Sequence, residues 1–394
     1  MKTIIIIITT MLLSSGNLKA QKWISYNTTN SNIPDNGVTD IAIDAQGNKW
    51  VATFLGIAKF NGTTFTVYDR HNSGLASNLC TAILIDKAGN VWVATHNGAY
   101  RFNPTTNVWT TFLPNSGIAR STVLSMAMDS KGNIWFGHDM SMISKFDGTN
   151  WTLSAMSWGH YNVNSIAIDQ TNDNVWFTLY GEGLYKIVGN TTYTAVGYMD
   201  VYIISICLDN AHGTAWFGAE TGVSSLSGTT WTHYSTFEYP VGGSVHAILV
   251  DAQNNKWFGT NNALTKFDGT TWTNFTTTNS GIPGNGVGCI VKDAGGIMWL
   301  TNYGLVRFNP NATGTDEIKA GNNIEMYPNP ATEKLSVNGI NPNSTISIYN
   351  LNGQLVLSQE LNGSEIDISQ LVNGIYTAKI TDNTGVYTQK LVKQ

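Results

Sequence analysis

Twelve of the chain's 13 tryptophans fall on a repeating pattern; Trp158 does not. It lies within residues 153–162, beside His160 and Tyr161. His138 and Asp139 precede it, and Tyr180, Glu182, Tyr198, Asp200, Tyr202, Glu220, Phe237 and Tyr239 follow. Aromatic faces interleaved with a few polar groups suit a sugar or another amphipathic ligand. Rings stack on apolar patches while carboxylates and amides orient hydroxyls. The candidate ligand-binding set is therefore Trp158, His160, Tyr161, Tyr180, Glu182, Tyr198, Tyr202, Glu220 and Tyr239. The competing reading is that these aromatics only pack loops together, since exposed aromatics are common without function. No His-x-x-x-His or comparable two-ligand spacing occurs, so neither a metal nor a cofactor is indicated.

The elements that must position these residues are legible in the remaining tryptophans. Trp50, Trp92, Trp135, Trp176, Trp216, Trp257 and Trp299 are spaced by 42, 43, 41, 40, 41 and 42 residues. Asp44, Asp86, Asp129, Asp169, Asp209, Asp251 and Asp293 precede them by six or seven positions. Turn sequences such as Asp44-Ala-Gln-Gly-Asn48 lie between, with Gly and Asn supplying positive φ and Asp able to bond backbone N–H groups. A catalytic or calcium-binding role is the rival reading of these aspartates, and the loops lack the further carboxylates a calcium site needs.

Each period of about 40 residues holds four strand-like pieces, the content of one propeller blade. In the first repeat they are 38–44, 49–53, 56–60 and 64–68. One and three positions before the Asp stand large side chains, such as Ile41 and Ile43 or Met126 and Met128. Two and four positions before it stand mostly small ones, such as Ser125 and Ala127 or Ser205 and Cys207. That alternation lets neighbouring blades interdigitate. Asn/Asp-Gly-Thr turns join the third and fourth strands. The fourth strand carries a second aromatic in six repeats (Phe65, Trp109, Trp151, Tyr193, Trp231 and Trp272), and the seventh repeat ends at Arg307-Phe-Asn-Pro310 without one. Lys22-Trp23-Ile-Ser-Tyr26 matches the missing piece, so residues 22–26 are expected to pair with 304–309 and close a seven-bladed β-propeller. An open solenoid is the structural alternative.

In such a meander the strand 1–2 and 3–4 turns share one face. The strand 2–3 and blade-to-blade loops, which differ among repeats and carry the aromatic set, share the other, where function usually sits. Cys80, Cys207 and Cys289 occupy equivalent first strands of different repeats, as small apolar fillers.

The flanks and composition bound the setting. Charged residues make up only 12% of 394, with 39 Gly and 11% aromatics, which excludes a disordered tail, a coiled coil and a collagen. With 21 basic against 26 acidic residues there is no basic footprint for nucleic acid. Met1-Lys2, a short apolar run and Ala20 read as a secretory signal peptide over residues 1–20, and no segment is long enough for a transmembrane anchor. The domains expected are 21–310 for the propeller, 311–323 for a linker, and 324–394 for a small β-sandwich of hairpins such as Thr345-Ile-Ser-Ile-Tyr.

Asp-x-x-Gly-Asn-x-Trp followed by Gly-(Leu/Ile/Val)-x-(Lys/Arg)-Phe, as in Gly56-Ile-Ala-Lys-Phe60, resembles the two-component-regulator type of propeller repeat. More distantly it resembles the virginiamycin B lyase family. The C-terminal Tyr327-Pro-Asn-Pro330, Asn373-Gly-Ile-Tyr376 and Lys390-Leu-Val-Lys393 resemble the type A C-terminal sorting domain of the Bacteroidetes type IX secretion system. That resemblance implies export past both membranes, partnership with the secretion machinery and its sortase, and release or attachment at the cell surface. The expected function is a secreted or cell-surface binding module, read as a monomer, for a glycan, peptide or protein ligand. A lyase-like or polysaccharide-acting enzyme is the alternative: the lyase resemblance would want a histidine base and a metal-holding carboxylate, which His138, His160, Glu182 and Glu220 could supply. A sensor ectodomain acting with a separate membrane partner is the third reading.

Overall fold

The computed structural model describes residues 22–155, 160–189, 191–194, 201–312, 325–338, 344–350, 354–361, 365–382 and 385–394. The signal peptide reading, Trp158, Tyr198, Asp200 and most of the linker lie outside them. The protein is all-β; among the described residues the one helical turn is the 3-10 turn Pro114–Ser116.

The described residues between 22 and 309 form seven four-stranded antiparallel sheets. Their leading strands are Val38–Ile43, Cys80–Ile85, Val123–Met128, Ile166–Ile168, Ile203–Asp209, Val245–Val250 and Ile290–Lys292. Six sheets are built from consecutive strands. The seventh is completed by Trp23–Tyr26, which pairs with Leu305–Phe308 in the register Trp23↔Phe308, Ile24↔Arg307, Ser25↔Val306, Tyr26↔Leu305. Each leading strand neighbours the next, and Ile290–Lys292 neighbours Val38–Ile43. Asp40 ties this last junction: its carboxylate accepts from Ile83 N–H at 2.9 Å and from the Cys289 thiol at 3.2 Å, reaching the second and seventh sheets at once. Burial pushes the Asp40 carboxyl pKa up and holds the Cys289 thiol well above its ordinary value. Burial also raises Cys80 to about 12 and Cys207 to about 11, and all three cysteines are free, in keeping with packing roles.

The turn aspartates do more than close hairpins. Asp44 accepts from the Asn48 backbone N–H at 2.9 Å and from the indole N–H of Trp50 at 3.0 Å. The same indole bond recurs at Asp86–Trp92, Asp129–Trp135, Asp251–Trp257 and Asp293–Trp299. In the fifth sheet the spacing is one residue longer; Asp209 turns to His212 at 2.8 Å, and the buried Trp216 N–H has no partner among the described residues. In five of the seven sheets the repeat thus couples a polar turn to a ring that fills a seam.

These bonds set an acid limit on stability. Burial alone would raise the carboxyls of Asp44, Asp251 and Asp293, but bonds from Asn side chains, indoles and turn amides outweigh it and hold them below the usual range. Asp268, in an exposed Asp-Gly-Thr hairpin, is brought to about 2 by the N–H groups of Thr271 and Thr270. A carboxyl depressed in the folded state contributes stability above its unfolded pKa and loses it as pH falls through the folded one. Urea unfolding should therefore show a progressive fall in midpoint from about pH 4 toward about pH 2. A midpoint unchanged across that window would contradict the coupling.

Beyond the seven sheets, Glu325–Tyr327, Lys334–Asn338 and Glu365–Asp367 form a three-stranded sheet. Leu355–Leu361, Ser344–Tyr349, Gly374–Asp382 and Gly385–Lys393 form a four-stranded one. Both contribute to one core that includes Met326, Leu335, Ile346, Ile366, Ala378 and Leu391. The three sequence motifs converge here. Asn329 donates to Lys390 O at 2.7 Å and accepts from Val392 N–H at 2.9 Å. The Tyr376 hydroxyl donates to Val372 O at 2.6 Å, and Lys393 Nζ reaches the Asn373 side chain at 3.4 Å.

Candidate functional site

The strand 2–3 loops and the sheet-to-sheet loops are bonded to one another around the assembly. Gly98 N–H donates to Ser121 O, Ser141 N–H to Tyr161 O, Gly181 N–H to Val201 O, Glu220 N–H to Tyr202 O and Asn261 N–H to Ser244 O. The described parts of these irregular loops are therefore linked into a rim along one face of the sheets.

Five of the sequence-predicted residues meet on that rim, over the fourth and fifth sheets. Tyr161 leads into the fourth sheet, its backbone bonded both ways to Ser141. Tyr180, Gly181 and Glu182 form the loop between Val175–Leu179 and Gly183–Val188. Gly181 has φ +96°, a backbone that side chains disfavour, and an added Cβ would sit 3.3 Å from the Tyr161 ring. The absent side chain lets Tyr161 lie across the loop. Its hydroxyl bonds Glu182, while the Tyr180 hydroxyl donates to Glu220 on the fifth sheet. Tyr180 and Tyr202 meet edge to face, with ring centroids 5.4 Å apart.

The hydrogen bond to Glu182 raises the Tyr161 pKa, and the bond to Glu220 raises that of Tyr180. Both phenols stay protonated at neutral pH and act as donors. Two tyrosine–glutamate couples beside a third, exposed tyrosine offer aromatic faces together with carboxylate acceptors. That combination can stack a ring and accept bonds from hydroxyls or N–H groups.

Other predicted residues go elsewhere. His138 was expected to offer a base on the loop face, and the structure corrects this: it is wholly buried. Its Nδ1 lies 2.9 Å from Thr122 O and its Nε2 2.8 Å from Ser144 Oγ. A carbonyl can only accept, so Nδ1 carries the proton and Nε2 accepts from Ser144. Burial drives the imidazole pKa down to about 4, so it is a neutral core residue. Asp139 pairs with Arg120 at 3.0 Å. Tyr239 packs against Tyr234 and Trp272 at 5.3 and 6.1 Å, joining the aromatic seam between the fifth and sixth sheets. His160 stands exposed next to Tyr161.

A central cavity of about 280 Å³ escaped the sequence reading, and all seven sheets contribute to it. Five leading strands carry a bulge one residue wide, which places Thr39, Thr81, Leu124 and His246 on its wall. The one available signal was Asp40, a carboxylate at a position where other repeats hold Ala, Ser or Cys. Among the described residues, no group of three or more His, Cys, Asp or Glu is gathered as a metal site would require.

With this geometry in view, residues 74–97 match the family model of the two component regulator propeller. Residues 325–394 match the secretion system C-terminal sorting domain. That sorting domain indicates export to the cell surface or beyond and interaction with the secretion machinery. No described helix is long and apolar enough to cross a membrane. No curated protein matches the chain. Among solved structures it is similar to the extracellular domain of BT3049 from B. thetaiotaomicron, described as a hybrid two component system. The TM-score is 0.62 at 17% identity, over 95% of this chain and 57% of that one. It is also similar to PorZ of Porphyromonas gingivalis, described as an essential surface component of the type-IX secretion system, with TM-score 0.60 at 16% identity over 94% and 61%. Virginiamycin B lyase from Staphylococcus aureus gives TM-score 0.59 at 17% identity, over 73% of this chain and 99% of that one. The chain thus spans less than two thirds of the first two, and these identities establish likeness of fold.

Proposed function

We propose that the mature chain is a closed seven-bladed β-propeller exported by a type IX secretion system. In this reading a signal peptide starts the route and a C-terminal β-sandwich, processed by the sortase, completes it. The propeller then serves at the cell surface or in the medium as a binding module for a glycan, peptide or protein ligand. The ligand sits on the loop rim against Tyr161, Tyr180 and Tyr202, with Glu182 and Glu220 as acceptors. The observation that carries this reading is the pair of tyrosine–glutamate couples, set by loops that are themselves cross-bonded from sheet to sheet.

The test is a glycan and peptide array probed with the mature chain, followed by titration of any hit against Tyr180→Phe and Glu220→Gln. Each variant should weaken binding by roughly tenfold, the scale of one lost bond to a charged group, with an unchanged melting temperature. Affinity equal to wild type in both would remove the rim site. A second reading, a sensor ectodomain working with a separate membrane partner, draws on the BT3049 likeness across 95% of this chain. It predicts co-purification with a membrane kinase under cross-linking, and no such capture would count against it. The lyase-like alternative is weakened by the burial of His138.

A further inference from the structure

The seam between the sixth and seventh sheets departs from the other six. In six sheets the residue before the turn aspartate is large and apolar: Ile43, Ile85, Met128, Ile168, Leu208 and Val250. Each joins the core cluster that contains the preceding sheet's tryptophan, as Ile85 does with Trp50, Met128 with Trp92, Val250 with Trp216 and Ile43 with Trp299. In the seventh sheet this position is Lys292, so no apolar side chain from it joins the cluster around Trp257. A cavity of about 660 Å³ opens at this seam, on the turn face away from the rim.

Three lysines, Lys22, Lys266 and Lys292, line that cavity over an aromatic wall of Trp257, Phe275 and Phe308. All three are half-buried. Lys22 Nζ stands 5.5 Å from the centre of the Phe275 ring and Lys266 Nζ 5.6 Å from that of Trp257. Among the described residues none of the three ammonium groups makes an ion pair. The carboxylates on the same wall, Asp251 and Asp293, are engaged by Trp257 and Asn255 and by Trp299 and Lys49. Lys266 has a structural account as the repeat's lysine over its own tryptophan, also seen at Lys59, Lys145 and Lys186. Lys22 and Lys292 belong to no such series.

We propose that this seam is a second binding site, independent of the rim, for a short acidic saccharide. Its carboxylate or phosphate groups face the three ammonium groups, and a sugar ring lies toward Phe275. The volume falls in the range of small-ligand pockets, and several cations lining an aromatic surface are the chemistry that recognises an anionic ring. A lysine where the repeat calls for an apolar plug loses seam packing, and a bound anion gives that loss a use.

Calorimetric titration of the full mature chain with trigalacturonate, glucose 6-phosphate and neutral maltotriose tests this. At least one acid should bind one to one, weaken in about 0.5 M salt, and outcompete the neutral sugar. Carboxylate and phosphate arms distinguish which anion the site prefers. Lys292→Ile restores the residue type of the other seams and should cut affinity by roughly tenfold or more while leaving melting temperature equal or higher. Should that variant fail to fold, Lys22→Gln supplies the same readout. Tyr180→Phe on the rim should leave acid binding unchanged. The proposal is overturned if neither acid binds, if maltotriose binds equally, or if the lysine variants bind like wild type.

Discussion

Trp23→Ala should destabilise residues 22–312 by about 3–5 kcal/mol, the cost of removing a buried tryptophan from a packed site. The indole is 4% exposed, stacks on Phe308 with centroids 4.1 Å apart, and meets Phe275 at 6.1 Å. Gly281 abuts it so closely that an added Cβ would lie 2.9 Å from the ring. Among the described residues the buried Trp23 N–H has no partner, and the ring acts through its packing. More is at stake than one side chain, because Trp23–Tyr26 supplies the outer strand of the seventh sheet. Without it Leu305–Phe308 becomes an open edge. Chemical denaturation monitored by tryptophan fluorescence checks the prediction. A loss below about 1 kcal/mol would mean that the N-terminal strand does not hold the seventh sheet.

The second large effect concerns export. Deleting residues 325–394, the segment matching the sorting domain, should leave the remaining chain folded and trap it inside the outer membrane. The first part follows from the separate cores: the residues of the C-terminal cluster all come from Met326 onward, while the seven-sheet clusters draw on residues 23–308. The second follows from the match of these residues to the secretion system C-terminal sorting domain, which deletion removes. Fractionation of cells expressing tagged full-length and truncated chains provides the measurement. Equal amounts of both outside the cell would sever the sorting domain from export.

Much of the architecture was legible because it repeats. A Trp every 40 or so residues, with Asp six or seven positions earlier, marks one turn and one buried ring, and seven copies make the pattern unmistakable. Even the odd strand at the N-terminus could be read, since it carries the repeat's missing aromatic. The couple Tyr180–Glu220 could be only half read: both residues stood out, but their pairing spans 40 positions and depends on how two sheets lean together. His138 misled for a local reason. It ends the strand Ile134–His138, where the register points it into the assembly between Thr122 and Ser144, and sequence position alone places it beside a loop. Lys292 was visible as a letter, yet its departure from the apolar series gains meaning only beside the cavity it borders.

The functional account rests on the N-terminal strand closing the ring, and a cross-link measures that directly. Ile24 and Arg307 face one another in the antiparallel register, where paired Cα atoms lie about 4.5–5.5 Å apart and a disulfide can form. Under mild oxidation, Ile24→Cys with Arg307→Cys should yield the 24–307 linked peptide by mass spectrometry in nearly all molecules, with a raised melting temperature. Two thiols that remain free, or that link only between molecules, would contradict closure and leave the rim without its scaffold.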